Sequence, residues 1–421
     1  MTNLRRLARC AAAAALLFLP PARASAQTTV TPDAASSLFD DTVLHDVSLA
    51  INTRDLAILK ANWQLNSYYP ADLTVGDQKA RGVAVRSRGG GSRNPVKLGL
   101  LVRFDRFDKS ASFLGQKSVV LRNNTQDASN VRERVAMQFL RRMGMPASRE
   151  AHARLFINGE FQGLYTLVET IDDPFVLSRF GVTDGRVYEY KFNDVAFVAG
   201  ADPFVFNYLG PDSSLWQPDL FNPETFQSQV DPQGEVIGKL FQALNDPSPA
   251  WRTLVAPYLD LSKFVRELAI ENYLGEEDGL MGDYGPNNFY LFRRASDTLF
   301  NIIPWDKSNT FWPDPGPNFE IFRNILDGIP SHHNLLALRV FNEPDLLNLY
   351  FDTLLECASA DDGFLEAEVT RAENQIHDAA LADPLKPFTN DQVEQDFVAM
   401  RAWAHDRAAN VRRQVTDARA Q

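Results

Sequence analysis

The stretch NFYLFRRASDTLFNIIPWDKS, Asn288 to Ser308, decides how this chain is read. Two runs of aromatic and branched residues flank a polar turn at Ala295–Thr298, a pattern that predicts an antiparallel hairpin. Asn288 opens its first strand and Asp306 closes its second, and antiparallel pairing sets those two ends side by side. Two oxygen-bearing side chains then come within reach of one Mg2+. The plainer alternative is a strand that merely ends on an aspartate, so the decision passes to the rest of the sequence.

Immediately upstream, ENYLGEEDGLMGDYGP (271–286) reads as a helix running into Glu276, Glu277 and Asp278, then a glycine-punctuated loop containing Asp283, then Asn287 and Asn288. An acid followed by an asparagine at a strand start is the layout of a phosphotransferase loop, where the aspartate takes a hydroxyl proton and the asparagine holds a divalent ion. Its bland counterpart is an acidic loop whose asparagine caps a turn. Far upstream lies RSRGGGSRNPVK, Arg86 to Lys97. A glycine run centred on Gly90 lets backbone N–H groups approach an anion closely. Arg86, Arg88, Arg93 and Lys97 surround it with cations, and alternation along VKLGLLVRF puts Lys97 opposite the apolar face of Val96 and Leu98. A surface hairpin with solubilising arginines is the bland reading. The order of the three signals, anion loop, base loop and metal aspartate, is that of a phosphotransferase.

Composition narrows the field. The chain has 421 residues and a formal charge of −12. Residues 1–26 carry a basic start (Arg5, Arg6, Arg9), an apolar run from Ala11 to Leu19 and the small-residue site Ala24-Ser25-Ala26, a secretory signal peptide too short to span a membrane. Its removal takes four arginines and no acids, moving the charge to −16. An exported protein this acidic repels nucleic acid and anionic lipid. Only Cys357 remains after cleavage, so no internal disulfide can form. No later run reaches the roughly 18 apolar residues of a membrane helix. The Gly-x-Ser-x-Gly elbow, His-Glu-x-x-His, the Walker loop and the dinucleotide fingerprint are all missing. The six histidines are scattered, and adjacent His332 and His333 are poorly spaced for one metal.

The periodicities divide the chain. After a flexible leader at 27–37 come an alternating strand in VLHDVSLAIN, a helix capped by Thr53, the glycine-rich hairpin, the strand SVVLRN, a helix capped by Ser129, and a hairpin turned at Asn158-Gly159. From about residue 236 helices dominate, including a long one from Asn390. The expected class is α+β: a β-rich lobe over 38–215 and a helical lobe over 216–421.

These pieces together resemble the spore-coat CotH kinase family. The resemblance rests on GVAVRSRGGGSR, VKLGLLVRF, LRNNTQDASNVRERVA, INGEFQGLYTLVETIDDPFV, NNFYLF and IIPWDKSNTF, which run in the family's order over roughly residues 80–312. It implies an atypical two-lobed protein-kinase-like fold and Mg2+- and ATP-dependent phosphorylation of Ser or Thr in protein partners. Asp278 matches the catalytic aspartate, Asn288 the metal asparagine with Asn287 in reserve, and Asp306 the metal aspartate. Lys97 and Arg88 match phosphate-side cations. Glu169 and Glu133 compete to pair with that lysine, and Glu169 has the clearer motif. Two departures stand out. Ser308 occupies a position where the family often has a second metal ligand, and the gap from Asp278 to Asn288 is long enough for Asp283 to compete as base. A nucleotidyl transferase on the same scaffold, or an inactive exported binding or surface-structural protein, are the rival functions.

Overall fold

The computed structural model describes residues 33–190, 206, 208, 210–212, 221–223, 235–282, 286–323 and 334–420. The signal peptide, Asp283, His332, His333 and the lobe boundary near residue 215 lie outside the described residues. Within them, α-helix and β-sheet are both extensive.

Seven strands close a barrel: β1 (His45–Ile51), β2 (Tyr69–Val75), β3 (Gln78–Ser87), β4 (Leu100–Arg103), β5 (Ser118–Arg122), β6 (Glu150–Ile157) and β7 (Glu160–Glu169). Their order is β1-β2-β3-β4-β5-β7-β6, and parallel pairing of β1 with β6 shuts it. The reason is visible in β1, where Val47, Leu49 and Ile51 alternate inward with exposed residues, so one face fills the barrel. Between β1 and β2 lies α1 (Thr53–Ala61), capped by Asn52 rather than Thr53. Between β5 and β6 lies α2 (Arg132–Arg142). Asp127 accepts from the first backbone N–H of α2, and Ser129 only reaches Val131.

A second sheet has the order β11-β10-β8-β9. It joins β8 (Arg186–Tyr190) and β9 (Phe221–Pro223) to β10 (Phe289–Arg293) and β11 (Phe300–Pro304), so its strands come from both sides of residue 215. α3 (Asp173–Phe180) precedes it. Val120 and Val168 on the outer barrel wall pack with Val187, Tyr290, Ile303 and Trp305 in one apolar cluster. That cluster seats the β10–β11 hairpin against the barrel, and this contact builds the site.

The remaining helices are α4 (Glu235–Leu244), α5 (Trp251–Val255), α6 (Leu261–Tyr273), α7 (Leu335–Phe341), α8 (Pro344–Asp361), α9 (Phe364–Leu381) and α10 (Asn390–Arg419). A full capping box, Thr389 with Gln392, starts α10. Phe397, Met400 and Trp403 of α10 share one core with Phe264, Leu268 and Tyr273 of α6, and residues 34–421 cluster as a single compact unit. No described helix is long and apolar enough to cross a membrane.

Two local expectations are corrected. Ala34–Ser37 form a 3-10 turn with Ala35 fully buried, so the end of the leader is packed. Residues 95–97 are bent rather than extended: Asn94 Oδ1 accepts from the backbone N–H of Val96 and Lys97. The bend reverses the expected alternation, leaving Val96 61% exposed and Lys97 1% exposed.

Candidate active site

The hairpin pairs Phe289 with Pro304, and the Trp305 N–H donates to the Asn288 carbonyl at 3.0 Å. Asn288 and Asp306 therefore stand at the same end of the sheet, both with positive φ, +58° and +49°. The backbone reverses sharply at each as the strands open into loops.

Asp278 joins them. Asn288 Nδ2 donates to Asp278 Oδ2 at 2.9 Å and to its carbonyl at 2.8 Å, while Asn287 Nδ2 donates to Oδ1 at 3.0 Å. Burial pushes the Asp278 carboxyl above its usual range; the Asn287 hydrogen bond opposes this and the charge of Asp306 adds to it. A carboxylate raised in this way is a better proton acceptor.

A buried network under the loop holds this arrangement. On α6, Glu271 binds the Lys307 ammonium at 2.6 Å and accepts from the Leu280 N–H at 2.7 Å. Lys307 in turn reaches the Asn288 carbonyl at 3.3 Å, and Glu276 accepts from the Asp278 N–H at 2.8 Å. Gly279 is required here, since a Cβ on it would sit 2.4 Å from Glu271 Oε2. Burial pushes Glu276 up to about 8.

Above the hairpin end, Arg122 closes β5 and bridges two acids. Its Nη1 lies 2.5 Å from Asp306 Oδ1 and its Nε 2.5 Å from Glu133 Oε2 on α2. Ser308 Oγ also donates to Asp306 Oδ1, at 3.0 Å. Burial alone would raise the Asp306 carboxyl, but Arg122 and then Arg88 outweigh it and hold it below its usual range. The guanidinium carbons of Arg88 and Arg122 lie 5.1 and 5.9 Å from the centre of the Trp305 ring. Arg88 makes no side-chain hydrogen bond or ion pair with any described residue.

The glycine loop docks alongside. Asn123 Nδ2 holds the Ser92 carbonyl at 2.9 Å, and a polar pocket between them is lined by Ser92, Arg122, Thr125, Glu133, Thr166 and Ser308. Gly90 itself is exposed, with open space where a Cβ would stand.

The residues expected at the site thus separate. Asp278, Asn288 and Asp306 form one cluster, with Arg88 and the exposed Gly90 on the barrel side. Lys97 and Glu169 are elsewhere, which corrects the expected pairing. The buried Lys97 ammonium binds Asp383 at 2.6 Å and the Leu164 carbonyl at 2.8 Å, drawn there by the bend at 95–97. Glu169 is wholly buried between Arg149 (2.6 Å) and Arg179 (2.7 Å). Of the two competing acids, Glu133 does take a cation near the site, but its partner is Arg122. Arg122 was missed because a cation closing an apolar strand carries no sequence pattern. The one available hint was its place at the end of SVVLR, just before the helix carrying Glu133.

A Mg2+ ion fits the donor set. Asn288 Oδ1 and Asp306 Oδ2 accept no hydrogen bond from a described residue, and Mg2+ commonly takes only one or two protein oxygens beside water and phosphate. Among the described residues no group of three or more His, Cys, Asp or Glu is placed to hold a metal ion, here or elsewhere.

Residues 85–411 match the family described as CotH kinase protein. The inner spore coat protein H of Bacillus subtilis (strain 168) is 22% identical over 341 residues, covering 80% of this chain and 88% of that protein. The crystal structure of the Helicobacter pylori proinflammatory kinase CtkA covers 72% of this chain and 92% of its own, at 10% identity and a TM-score of 0.31, too low to carry a fold across. With its family match running from β3 into α10, the chain belongs to the CotH kinase family.

Proposed function

We propose that this chain is an exported, two-lobed Ser/Thr protein kinase that transfers the γ-phosphoryl group of ATP to a protein partner. The observation that carries the reading is the hydrogen-bonded pair of Asp278 and Asn288 at the hairpin end that also carries Asp306, faced by Arg88 and by the Arg122–Glu133 pair. In this scheme the acceptor hydroxyl oxygen attacks the γ-phosphorus as the bond to the bridging β,γ-oxygen breaks. ADP leaves, and the hydroxyl proton passes to Asp278. Asn288 and Asp306 would hold Mg2+, which would supply neutralising charge to the phosphate oxygens. Arg88 and Arg122 contact phosphate, and the glycine loop around Gly90 covers it. Such chemistry asks the protein chiefly for positioning and electrostatic stabilisation.

The test is purified protein with labelled ATP, Mg2+ and a Ser/Thr-containing protein acceptor, comparing wild type with Asp306→Ala. Wild type should label the acceptor and the variant should not, with both folded by circular dichroism. Equal labelling would remove the metal assignment. The mass of the adduct separates phosphoryl from nucleotidyl transfer.

A further inference from the structure

We propose that a cationic strip leading away from the phosphate-side Arg88, from Arg86 at the end of β3 to Arg106 beyond β4, docks an acidic peptide segment flanking the phosphoacceptor. The inference rests on the kinase reading, because it assigns a substrate class to the same site.

The strip gathers guanidinium groups that have no counter-charge among the described residues. Arg86 Nη1 and Arg93 Nη2 both donate to Asn66 Oδ1, at 2.9 and 2.8 Å, so two guanidinium groups converge on one neutral amide oxygen. Arg86 also donates to the Tyr68 hydroxyl at 3.1 Å, and the guanidinium carbons of Arg86 and Arg106 lie 5.6 and 5.1 Å from the Tyr68 ring centre. No described carboxylate pairs with Arg86, Arg93 or Arg106, and Arg106 is exposed with no hydrogen bond to a described residue. Several other surface arginines do have a carboxylate, Arg154 with Asp46, Arg252 with Asp345 and Arg266 with Glu356, whereas here three guanidinium groups without one lie together around Asn66 and Tyr68. Beyond burial, the charges that act on Arg93 are those of Arg86 and Arg88, and they depress its guanidinium. Its own donors are consumed by the carbonyls of Gln64, Leu65 and Ser87, so Arg93 adds charge while Arg86 and Arg106 keep donors free.

Position argues for a peptide. Arg88, one residue beyond β3, stands over Trp305, the neighbour of Asp306, and Arg86 lies two residues back along the extended chain at the end of β3. That is a step of roughly 7 Å, the repeat of alternate side chains in an extended chain. An acidic residue two positions from the phosphoacceptor would therefore meet Arg86, with Arg106 beside it over the Tyr68 ring. A long polyanion such as nucleic acid meets the field of a chain carrying −12 overall, whereas a short acidic peptide feels mainly the local patch.

The test uses the full chain without nucleotide and fluorescence anisotropy of three labelled peptides: a serine flanked by glutamates at alternate positions, its glutamine counterpart and its lysine counterpart. The glutamate peptide should bind roughly tenfold tighter than the glutamine peptide, with the preference fading at high salt. Arg106→Gln, which breaks no hydrogen bond, should reduce that preference several-fold, and Arg86→Gln/Arg106→Gln should abolish it, with melting temperature as the control for folding. Equal binding of the glutamate and glutamine peptides, preference for lysine, or displacement by single-stranded DNA at lower concentration would overturn the strip. A separate thermal-shift titration of the wild type with Mg2+ and ATP tests the kinase reading alone. Peptide preference without an ATP shift sinks that reading and leaves the docking strip, and an ATP shift without peptide preference does the reverse.

Discussion

Arg88 lies over Trp305 with no described carboxylate of its own, and its guanidinium is depressed by burial and by Arg122. An incoming anion relieves both effects, so Arg88→Gln should raise the KM for ATP about tenfold, the loss of one charge-assisted contact. Its unfolding free energy in urea should stay within about 0.5 kcal/mol of wild type. Lys97→Met should behave in the opposite way. It strands the buried Asp383 carboxylate, which should cost about 3–5 kcal/mol, while the KM for ATP is unchanged. Glu150 gives a pH signature. It is 1% exposed, neither carboxylate oxygen is hydrogen-bonded, and burial pushes it from the ordinary 4.5 up to about 7 despite nearby Arg122 and Arg141. The folded chain then keeps a proton that the unfolded chain has released. The stability that Glu150 itself contributes should be fullest below about pH 4.5, fall as pH rises towards 7 and be lost above it. Melting curves across that window should show a shallower decline for Glu150→Gln than for wild type.

At the scale of elements, α6 and the β10–β11 hairpin are locked together through Lys307. Its ammonium faces three buried carboxylates, Glu267, Glu271 and Glu276, and stays charged because Glu271 and Glu276 outweigh the cost of burial. Lys307→Met leaves those acids without a cation. It should cost about 3–5 kcal/mol in urea unfolding and lower kcat more than it raises the KM for ATP, since the positions of Asp278 and Asn288 depend on it. A fall in stability with kcat unchanged would confine Lys307 to a structural role.

At the scale of the whole molecule, the last helix is part of the site's foundation. Arg407 on α10 is completely buried and donates to the carbonyls of Asn272 (2.6 Å), Tyr273 (2.8 Å), Pro317 (2.9 Å) and Phe319 (2.6 Å), which flank the loops carrying Asp278 and Asp306. The α9–α10 connection also reaches the barrel: Asp383 accepts from the Leu164 N–H at 2.9 Å as well as binding Lys97. Truncation before Asn390 should therefore yield no cooperatively folded protein, because Phe397, Met400, Trp403 and Val411 would leave a shared core. A sharp, wild-type-like thermal transition in the truncated chain would contradict this.

Local chemistry accounts for what the sequence determined. Apolar alternation specified β1, two apolar runs about a polar turn specified the β10–β11 hairpin, Asn158-Gly159 specified a turn, and helical spacing specified α2 and α6 to within a few residues. Hairpin pairing then brought Asn288 and Asp306 to one end, because antiparallel register follows from neighbouring segments. The partners of the cations were a different matter. Lys97 with Asp383 and Arg122 with Asp306 join elements far apart in the chain, because a charged side chain finds its counter-ion in space. Asp383 lies 286 residues beyond Lys97, and a bend made by the Asn94 side chain was enough to turn the lysine towards it. β2, β8 and the parallel closure of β1 on β6 were likewise settled by tertiary packing, since short strands such as these become stable only when neighbours cover their faces and edges.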